Sequence, residues 1–343
     1  MKDLKEQIIA FIKEHPSCSS NEIYQSLEVS IATVKRMLSR LISEGLIVAE
    51  GKLKGTKYVL SPSYELFYPV DVEEYFKKEV DERQIREHFN LTLIPEVLTK
   101  AALFTDAEMQ HLELLHQQYQ DNISHLSKAE YAKELERLAI DLSWKSSQIE
   151  GNTYSLLETE RLLKEKETAA GKPKDDATML LNHKDALNFI IENPDYVVPM
   201  TIRGIEDIHS LLIKDLGVDR NIRQRRVGIS GTNYKPLDNE HQIREALEEM
   251  CNLINRKDSA FEKALLALVL LSYIQAFGDG NKRTARIISN ALLIAYGYCP
   301  ISFRTVDSVE YKKAMLIFYE QNNINAFKKI FKAQFEFAVK TYF

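Results

Sequence analysis

Cysteine is nearly absent from this chain of 343 residues: Cys18, Cys251 and Cys299 stand far apart, odd in number and without a CxxC pair. Neither a disulfide framework nor a thiolate zinc site is indicated, and a reducing, cytoplasmic residence follows most simply. Glycine is scarce, at 12 residues, while 45% of the chain is hydrophobic and 28% charged. That composition excludes wholesale disorder, a collagen-like repeat and a coiled-coil chain. Long apolar runs are missing too. The longest, Ala264 to Tyr273, falls well short of the roughly 20 residues that cross a bilayer, and the amphipathic N-terminus does not read as a signal peptide, so no membrane role is expected. Nor is there an excess of positive charge: 45 Lys and Arg stand against 50 Asp and Glu, a formal net charge of -5. A surface coated in cations is excluded, whereas a local basic face is not. The length points to two domains with room for a smaller module.

At the front, Leu4, Ile8, Ile9, Phe11 and Ile12 recur at helical spacing until Pro16 stops the run. Ser20 is placed to cap a second helix through Leu27, and Ser30 a third from Ile31 to about Ser43, with Val34, Met37, Leu38, Leu41 and Ile42 facing inward. Gly45 ends it. Two β-rich runs follow, Leu46 to Ala49 and Thr56 to Leu60, joined by a glycine and lysine loop of hairpin composition. Three short helices and a hairpin resemble a winged helix-turn-helix, and "VSIATVKRMLSRLISEGLIVAEGKLKGTKYVL" resembles that family's recognition helix and wing. The resemblance covers about the first 62 residues. It implies contact with double-stranded DNA through Ser30, Thr33, Lys35, Arg36 and Arg40 on the helix, and through Lys52, Lys54 and Lys57 on the wing. A homodimer reading two half-sites is compatible with it. The same cations would equally solvate the faces of a module that packs on another domain or protein.

Beyond Pro62 an aromatic and acidic connector, "YELFYPVDVEEYFKK", leads into long amphipathic segments with little β signal. Helices are expected over 112–123, 129–150, 156–169, 182–192, 201–216, 242–253, 261–277, 282–296, 308–321 and 325–342. The expected division is a front domain at 1–62, a connector with the first helices at 63–130, and a mainly α domain at 131–343. One stretch interrupts the helices: "RQRRVGISGTNYKPLD", Arg223 to Asp238, alternates Val227 and Ile229 before a turn rich in Gly, Asn and Pro. That pattern predicts a short β-hairpin whose edge could hold an extended partner by strand addition.

The densest chemistry lies in "QAFGDGNKRTAR", Gln275 to Arg286, between two hydrophobic helices. Gly278 and Gly280 permit a tight turn whose N–H groups converge on an anion, and the next helix adds the positive end of its dipole. Asp279 is the one carboxylate in the turn, suited to a hard cation such as Mg²⁺. Arg283 and Arg286 lie one helical turn apart on one face, within reach of neighbouring phosphates of a single ligand. Taken alone, the same residues equally describe a helix cap with solvated charges.

The string is similar to the signature of the Fic family, HxFx(D/E)GN(G/K)RxxR: Phe277, Asp279, Gly280, Asn281, Lys282, Arg283 and Arg286 all match, and family features extend over roughly 65–340. The resemblance implies an all-helical core with a β-hairpin flap and transfer of AMP from ATP to a protein Ser, Thr or Tyr hydroxyl. It implies Mg²⁺ on Asp279, phosphate contacts from Gly278, Gly280, Asn281, Lys282 and Arg283, and the γ phosphate on Arg286. A target protein would be gripped at the flap by Gly228, Ile229, Gly231, Thr232, Asn233 and Tyr234. Upstream, Ser146, Glu150 and Gly151, with Asn152 just beyond, match the inhibitory motif (S/T)xxxE(G/N). By the same resemblance Glu150 would pair with Arg286 and block the γ-phosphate position.

The departure is Gln275, which stands at the family's catalytic histidine. An amide has no useful basicity near neutral pH, whereas an imidazole has. Among the other histidines, His183, His209 and His241 show no place beside Asp279, and His209 reads as a packing or surface residue. Two functions follow: a protein adenylyltransferase weakened at its base and autoinhibited through Glu150, or a non-catalytic ATP-responsive DNA-binding regulator or protein-binding scaffold.

Overall fold

Most described helices in this protein begin where a short polar side chain accepts a first-turn N–H that no carbonyl can reach. The computed structural model describes residues 4–27 and 29–343, the side chain of Lys54 excepted. The front comprises α1 (Leu4–Glu14), α2 (Ser20–Ser26) and α3 (Ile31–Ser43), followed by β1 (Ile47–Glu50) and β2 (Lys57–Leu60). The strands are antiparallel, with Ile47 opposite Leu60 and Glu50 opposite Lys57. Ser30 caps α3 as expected, but α2 is capped by Ser19 rather than Ser20. Ser19 forms a reciprocal capping box with Glu22, a pairing that Ser20 lacks because Ile23 stands three residues after it. Ile8, Ile12, Ile23, Val34, Leu38 and Leu41 close the small core.

The connector runs through α4 (Tyr64–Phe67), α5 (Val72–Tyr75) and a π-helical turn at Leu93–Leu98. The body follows as α6 (Asp106–Ser124), α7 (Lys128–Ile149), α8 (Leu156–Glu165), α9 (Lys174–Glu192), α10 (Ile202–Leu212), α11 (Glu240–Arg256), α12 (Ala260–Ile274), α13 (Asn281–Ala295), α14 (Ser308–Gln321) and α15 (Asn325–Tyr342). Every residue of α12 except Glu262 is buried, the expected fate of a helix that is hydrophobic all round. Its partner α13 packs along it, and α7, α9 and α10 also pack against α13. The mainly helical architecture expected from the sequence is present. No described helix is long and apolar enough to cross a membrane.

Several boundaries differ from expectation. α9 starts at Lys174, well before 182, because Pro173 leads straight into a polar first turn that lacks apolar periodicity. α8 stops at Glu165, where Lys166 takes a left-handed cap, and α12 stops at Ile274, where Gln275 does the same. The larger correction concerns 223–238. No β-ladder forms there, and the described two-stranded sheet is the wing alone. Gly228, Gly231 and Pro236 interrupt the run, and its backbone finds partners elsewhere. Arg223 N–H donates to Ala276 O, Lys235 N–H to Glu87 O, and Gly231 O accepts from Arg83 Nη2 at 2.6 Å. The segment is an extended loop pinned to the connector, with a single bridge between His88 and Lys235.

The start of α6 carries a charged cluster with a measurable consequence. Glu108 completes a capping box with Thr105 and bonds Lys328 Nζ at 2.8 Å and Lys332 Nζ at 2.7 Å. Burial alone would raise its carboxyl, but these partners pull it down to about 2. A depressed carboxyl contributes stability above its unfolded value, about 4.3, and loses it as pH falls through the folded value. Thermal melts at stepped pH are therefore expected to show a decline in Tm between about pH 4.5 and 2. Glu108→Gln should lower Tm at pH 7 and remove part of that decline; an unchanged pH profile would contradict the assignment.

Candidate functional site

The turn between the two central helices is built by its own side chains. Gln275 closes α12 at φ 52° and Gly280 opens α13 at φ 79°. A Cβ on Gly280 would stand 3.2 Å from Ile213 Cγ2 and 3.4 Å from His209 Nε2, so glycine is required there by both conformation and space. Asn281 braces the loop: its Oδ1 accepts from Phe277 N–H at 2.8 Å, and its Nδ2 donates to Phe277 O at 2.8 Å and to Gln275 Oε1 at 3.1 Å. Its amide is thus occupied within the turn, and its first-turn backbone N–H is the group left for a phosphate. Gln275 is also engaged at both ends, since its Nε2 donates to Ser272 O at 2.6 Å. Its carbonyl accepts from Arg223 Nε at 2.6 Å.

The arginines are among the most buried large side chains of the protein. Arg283 reaches Asp279 Oδ2 at 3.0 Å and Leu212 O at 3.3 Å. Arg286, with no exposed surface, donates from Nε to Ser146 Oγ at 2.8 Å, from Nη2 to Ser146 O and Glu150 Oε1 at 2.9 Å each, and from Nη1 to Tyr311 Oη at 3.3 Å. The second Glu150 oxygen meets Lys282 Nζ at 3.1 Å. Burial would raise the Glu150 carboxyl, yet Arg286 and Lys282 hold it below its ordinary value, so it is a carboxylate clamped between two cations. Ser146 is fully buried on α7. Asn152 ties the end of that helix to α9 by donating to Asp176 O at 2.9 Å, while Gly151 makes the turn between them at φ 101°.

These groups form one side of a cleft of about 540 Å³, within the range of small-molecule sites. The turn from Gly278 to Arg283 lines it together with Glu150, Gln275, the loop from Val227 to Gly231, and Tyr311, Lys312, Met315, Leu316 and Tyr319 of α14. Gly228, Ile229 and Gly231 therefore lie where the sequence placed them. Thr232, Asn233 and Tyr234 do not. Thr232 Oγ1 accepts from Tyr234 N–H, Asn233 Nδ2 donates to Asp81, and Tyr234 is buried with its hydroxyl on Tyr273 O. Asn233 is exposed away from the cleft and only Tyr234 turns into the body, while Val227 and Ser230 line the cleft.

His209 corrects the sequence expectation further. It lies directly beneath the turn, stacked on Phe277 with centroids 3.7 Å apart, its Nε2 2.9 Å from Asp279 O. Burial and the Arg283 charge push its pKa down to about 4. His183 is buried with neither nitrogen bonded, its pKa well below 6.5 from burial and from Arg286 and Arg283; His241 is exposed on α11 beside Glu245. His209, Tyr311, Tyr319 and Arg223 had no local signal, because each meets the turn only through packing between separate helices and loops.

The residue types around the turn suit an anion. Lys282, Arg283 and the first turn of α13 line the cleft with Asp279, whose side chain is 65% exposed, while Arg286 lies buried behind Glu150. No group of three or more His, Cys, Asp or Glu suited to a metal occurs among the described residues. One exposed carboxylate matches Mg²⁺, which takes one or two carboxylates and completes its shell with phosphate oxygens and water.

On the front unit, Lys35, Arg36 and Lys52 are exposed. Arg40 pairs with Glu44 and Lys57 with Glu22, while Ser30 and Thr33 bond each other at the helix cap. The Lys54 side chain lies outside the described residues.

Residues 199–293 match the Fic/DOC family, and residues 1–48 match the winged helix-turn-helix DNA-binding family. A protein adenylyltransferase Fic of Nematostella vectensis is 30% identical over 174 residues, covering 48% of this chain and 40% of the relative. One from Aedes aegypti is 27% identical over 162 residues, 45% of this chain and 32% of its own. The chain thus spans less than half the length of these curated relatives. Among solved structures, Fic-1 of C. elegans superposes with a TM-score of 0.60 at 20% identity, covering 69% of this chain and 72% of that one. A Fic domain containing signaling protein of Bacteroides thetaiotaomicron gives 0.58 at 19%, covering 67% and 94%. These likenesses show the fold.

Proposed function

This chain carries a Fic/DOC-family domain at residues 199–293 and a winged helix-turn-helix at its front, and from that premise we propose that the cleft binds ATP with Mg²⁺ and transfers AMP to a protein hydroxyl, weakly and under restraint. The observation that carries this reading is the ion pair of Glu150 with fully buried Arg286 and with Lys282. A carboxylate there occupies donors suited to a terminal phosphate, at the head of a glycine turn whose N–H groups suit the rest of the chain.

In the proposed reaction a Ser, Thr or Tyr hydroxyl oxygen bonds to the α phosphorus, the bond from that phosphorus to the β-phosphate bridging oxygen breaks, and pyrophosphate leaves. Gly278 to Lys282 hold the phosphates, Arg283 keeps Asp279 oriented, and Val227 to Gly231 present an extended edge for the target segment. Mg²⁺ on Asp279 would neutralise charge on the phosphates. Gln275 accepts no proton, so the hydroxyl proton passes to solvent and the rate lacks the general-base contribution of about 10²–10⁴-fold. Domain boundaries at 62 and 130, cytoplasmic residence and a homodimer belong to the same reading. Calorimetry with ATP and Mg²⁺ on Glu150→Gly tests the nucleotide site: no heat of binding would overturn it.

A second reading has its own support, since the engaged Gln275 amide leaves the cleft without a base while Lys35 and Arg36 face solvent on α3. Here nucleotide occupancy governs DNA binding. Fluorescence titration with random duplex at two salt concentrations should show affinity falling steeply with salt, and Arg36→Ala should reduce the log–log slope by about 1. No binding at low salt would assign the front unit to protein contacts.

A further inference from the structure

We propose that His209 is a positioning residue that orients the phosphate-binding turn: its Nε2–H holds the Asp279 carbonyl down on α10 and thereby turns the Gly280 N–H toward the ligand. The inference rests on the nucleotide reading above and adds to it a residue outside the turn. A peptide group is planar, and in a trans peptide its C=O and N–H point in opposite directions. The Asp279–Gly280 peptide is not among the cis bonds of the chain. Fixing Asp279 O at 2.9 Å from His209 Nε2 therefore aims the Gly280 N–H away from α10, and Gly280 lines the cleft. That N–H has no backbone or side-chain partner among the described residues, as an anion donor awaiting its ligand should.

The geometry also prevents the opposite peptide orientation. Reversed, the carbonyl would project its partial negative charge into the cleft against phosphate oxygens. The ring is held in place from two sides: it stacks on Phe277 at an interplanar angle of 14°, and it has no exposed surface. A carbonyl only accepts, so Nε2 is the protonated nitrogen. Nδ1 has no partner, and an unpaired acceptor there is tolerated more readily than an unpaired donor would be. Gly280 completes the arrangement, because its φ of 79° suits glycine and a Cβ there would press on Ile213 at 3.2 Å and touch this same Nε2 at 3.4 Å.

The test compares His209→Phe, which keeps the stacked ring and deletes the donor, with His209→Gln, whose amide N–H can restore it, both in the Glu150→Gly background. Affinities for ATP with Mg²⁺ and for adenosine, which has no phosphate, are measured by calorimetry. His209→Phe should weaken ATP about tenfold or more and leave adenosine within about twofold, and His209→Gln should recover most of the loss. Equal ATP affinity in His209→Phe, or parallel losses of ATP and adenosine, would overturn the positioning role. No ATP binding by Glu150→Gly with His209 intact would overturn the nucleotide reading and this inference together, so the two failures are distinguishable. Should His209→Phe not fold, long-range ¹H–¹⁵N spectra of the histidine-labelled, unsubstituted chain decide. An Nε2–H tautomer at His209 is expected; an Nδ1–H tautomer contradicts the proposal.

Discussion

Glu150→Gly should tighten ATP binding about 10- to 100-fold. Glu150 occupies Arg286 Nη2 at 2.9 Å and Lys282 Nζ at 3.1 Å, and a hydrogen bond to a charged group is worth about 1.5–3 kcal/mol net, which converts to that range of affinity. The substitution also carries a stability cost. Arg286 keeps Ser146 and Tyr311 as partners but loses its one ion-pair partner among the described residues while fully buried, and breaking such a pair typically costs about 3–5 kcal/mol. The unliganded variant should therefore melt below the unsubstituted protein and recover more on adding ATP, since a ligand stabilises the state it binds. Calorimetry and thermal shift read the two effects separately. A variant that melts lower and takes up no ATP would mean that Glu150 is a structural strut, not a plug.

Gln275→His, made on Glu150→Gly, should raise transfer from α-labelled ATP to a protein hydroxyl by about 10²–10⁴-fold, the usual contribution of a placed general base. The position tolerates histidine, which is among the residue types enriched in the left-handed region that Gln275 occupies at φ 52°. The exchange gives up the amide bonds to Ser272 O and Asn281, so ATP affinity has to be measured beside the rate to separate a looser turn from a missing base. Among the described residues no histidine lines the cleft. His209 is bonded beneath the turn and His183 is sealed in the core with both nitrogens unpartnered. Labelling by Glu150→Gly alone as fast as by the double variant would show that proton removal is not what Gln275 withholds.

The turn itself was legible because its requirements are local. Two glycines and a following helix specify a tight turn with free first-turn N–H groups, and capping residues such as Ser30 marked helix starts in the same way. The loop at 223–238 misled for a physical reason. Alternating Val227 and Ile229 fit a strand, but a ladder needs a partner strand in register, and Arg83, Glu87 and Ala276 take up backbone groups of that segment first. The bonds of the Asn281 amide to Phe277 and Gln275 likewise appear only in the folded turn.

By itself the sequence determined the helical class, the winged front and the glycine turn, since dihedral preference, periodicity and capping act between residues a few positions apart. Only the tertiary structure decided which side chains close on that turn. His209 and Asp279 meet across 70 residues of chain, and Lys282 and Glu150 across 132. Such contacts depend on how buried helices pack around α12 and α13, where an unpaired charge or N–H is too costly to leave, and no short stretch of residues records that geometry.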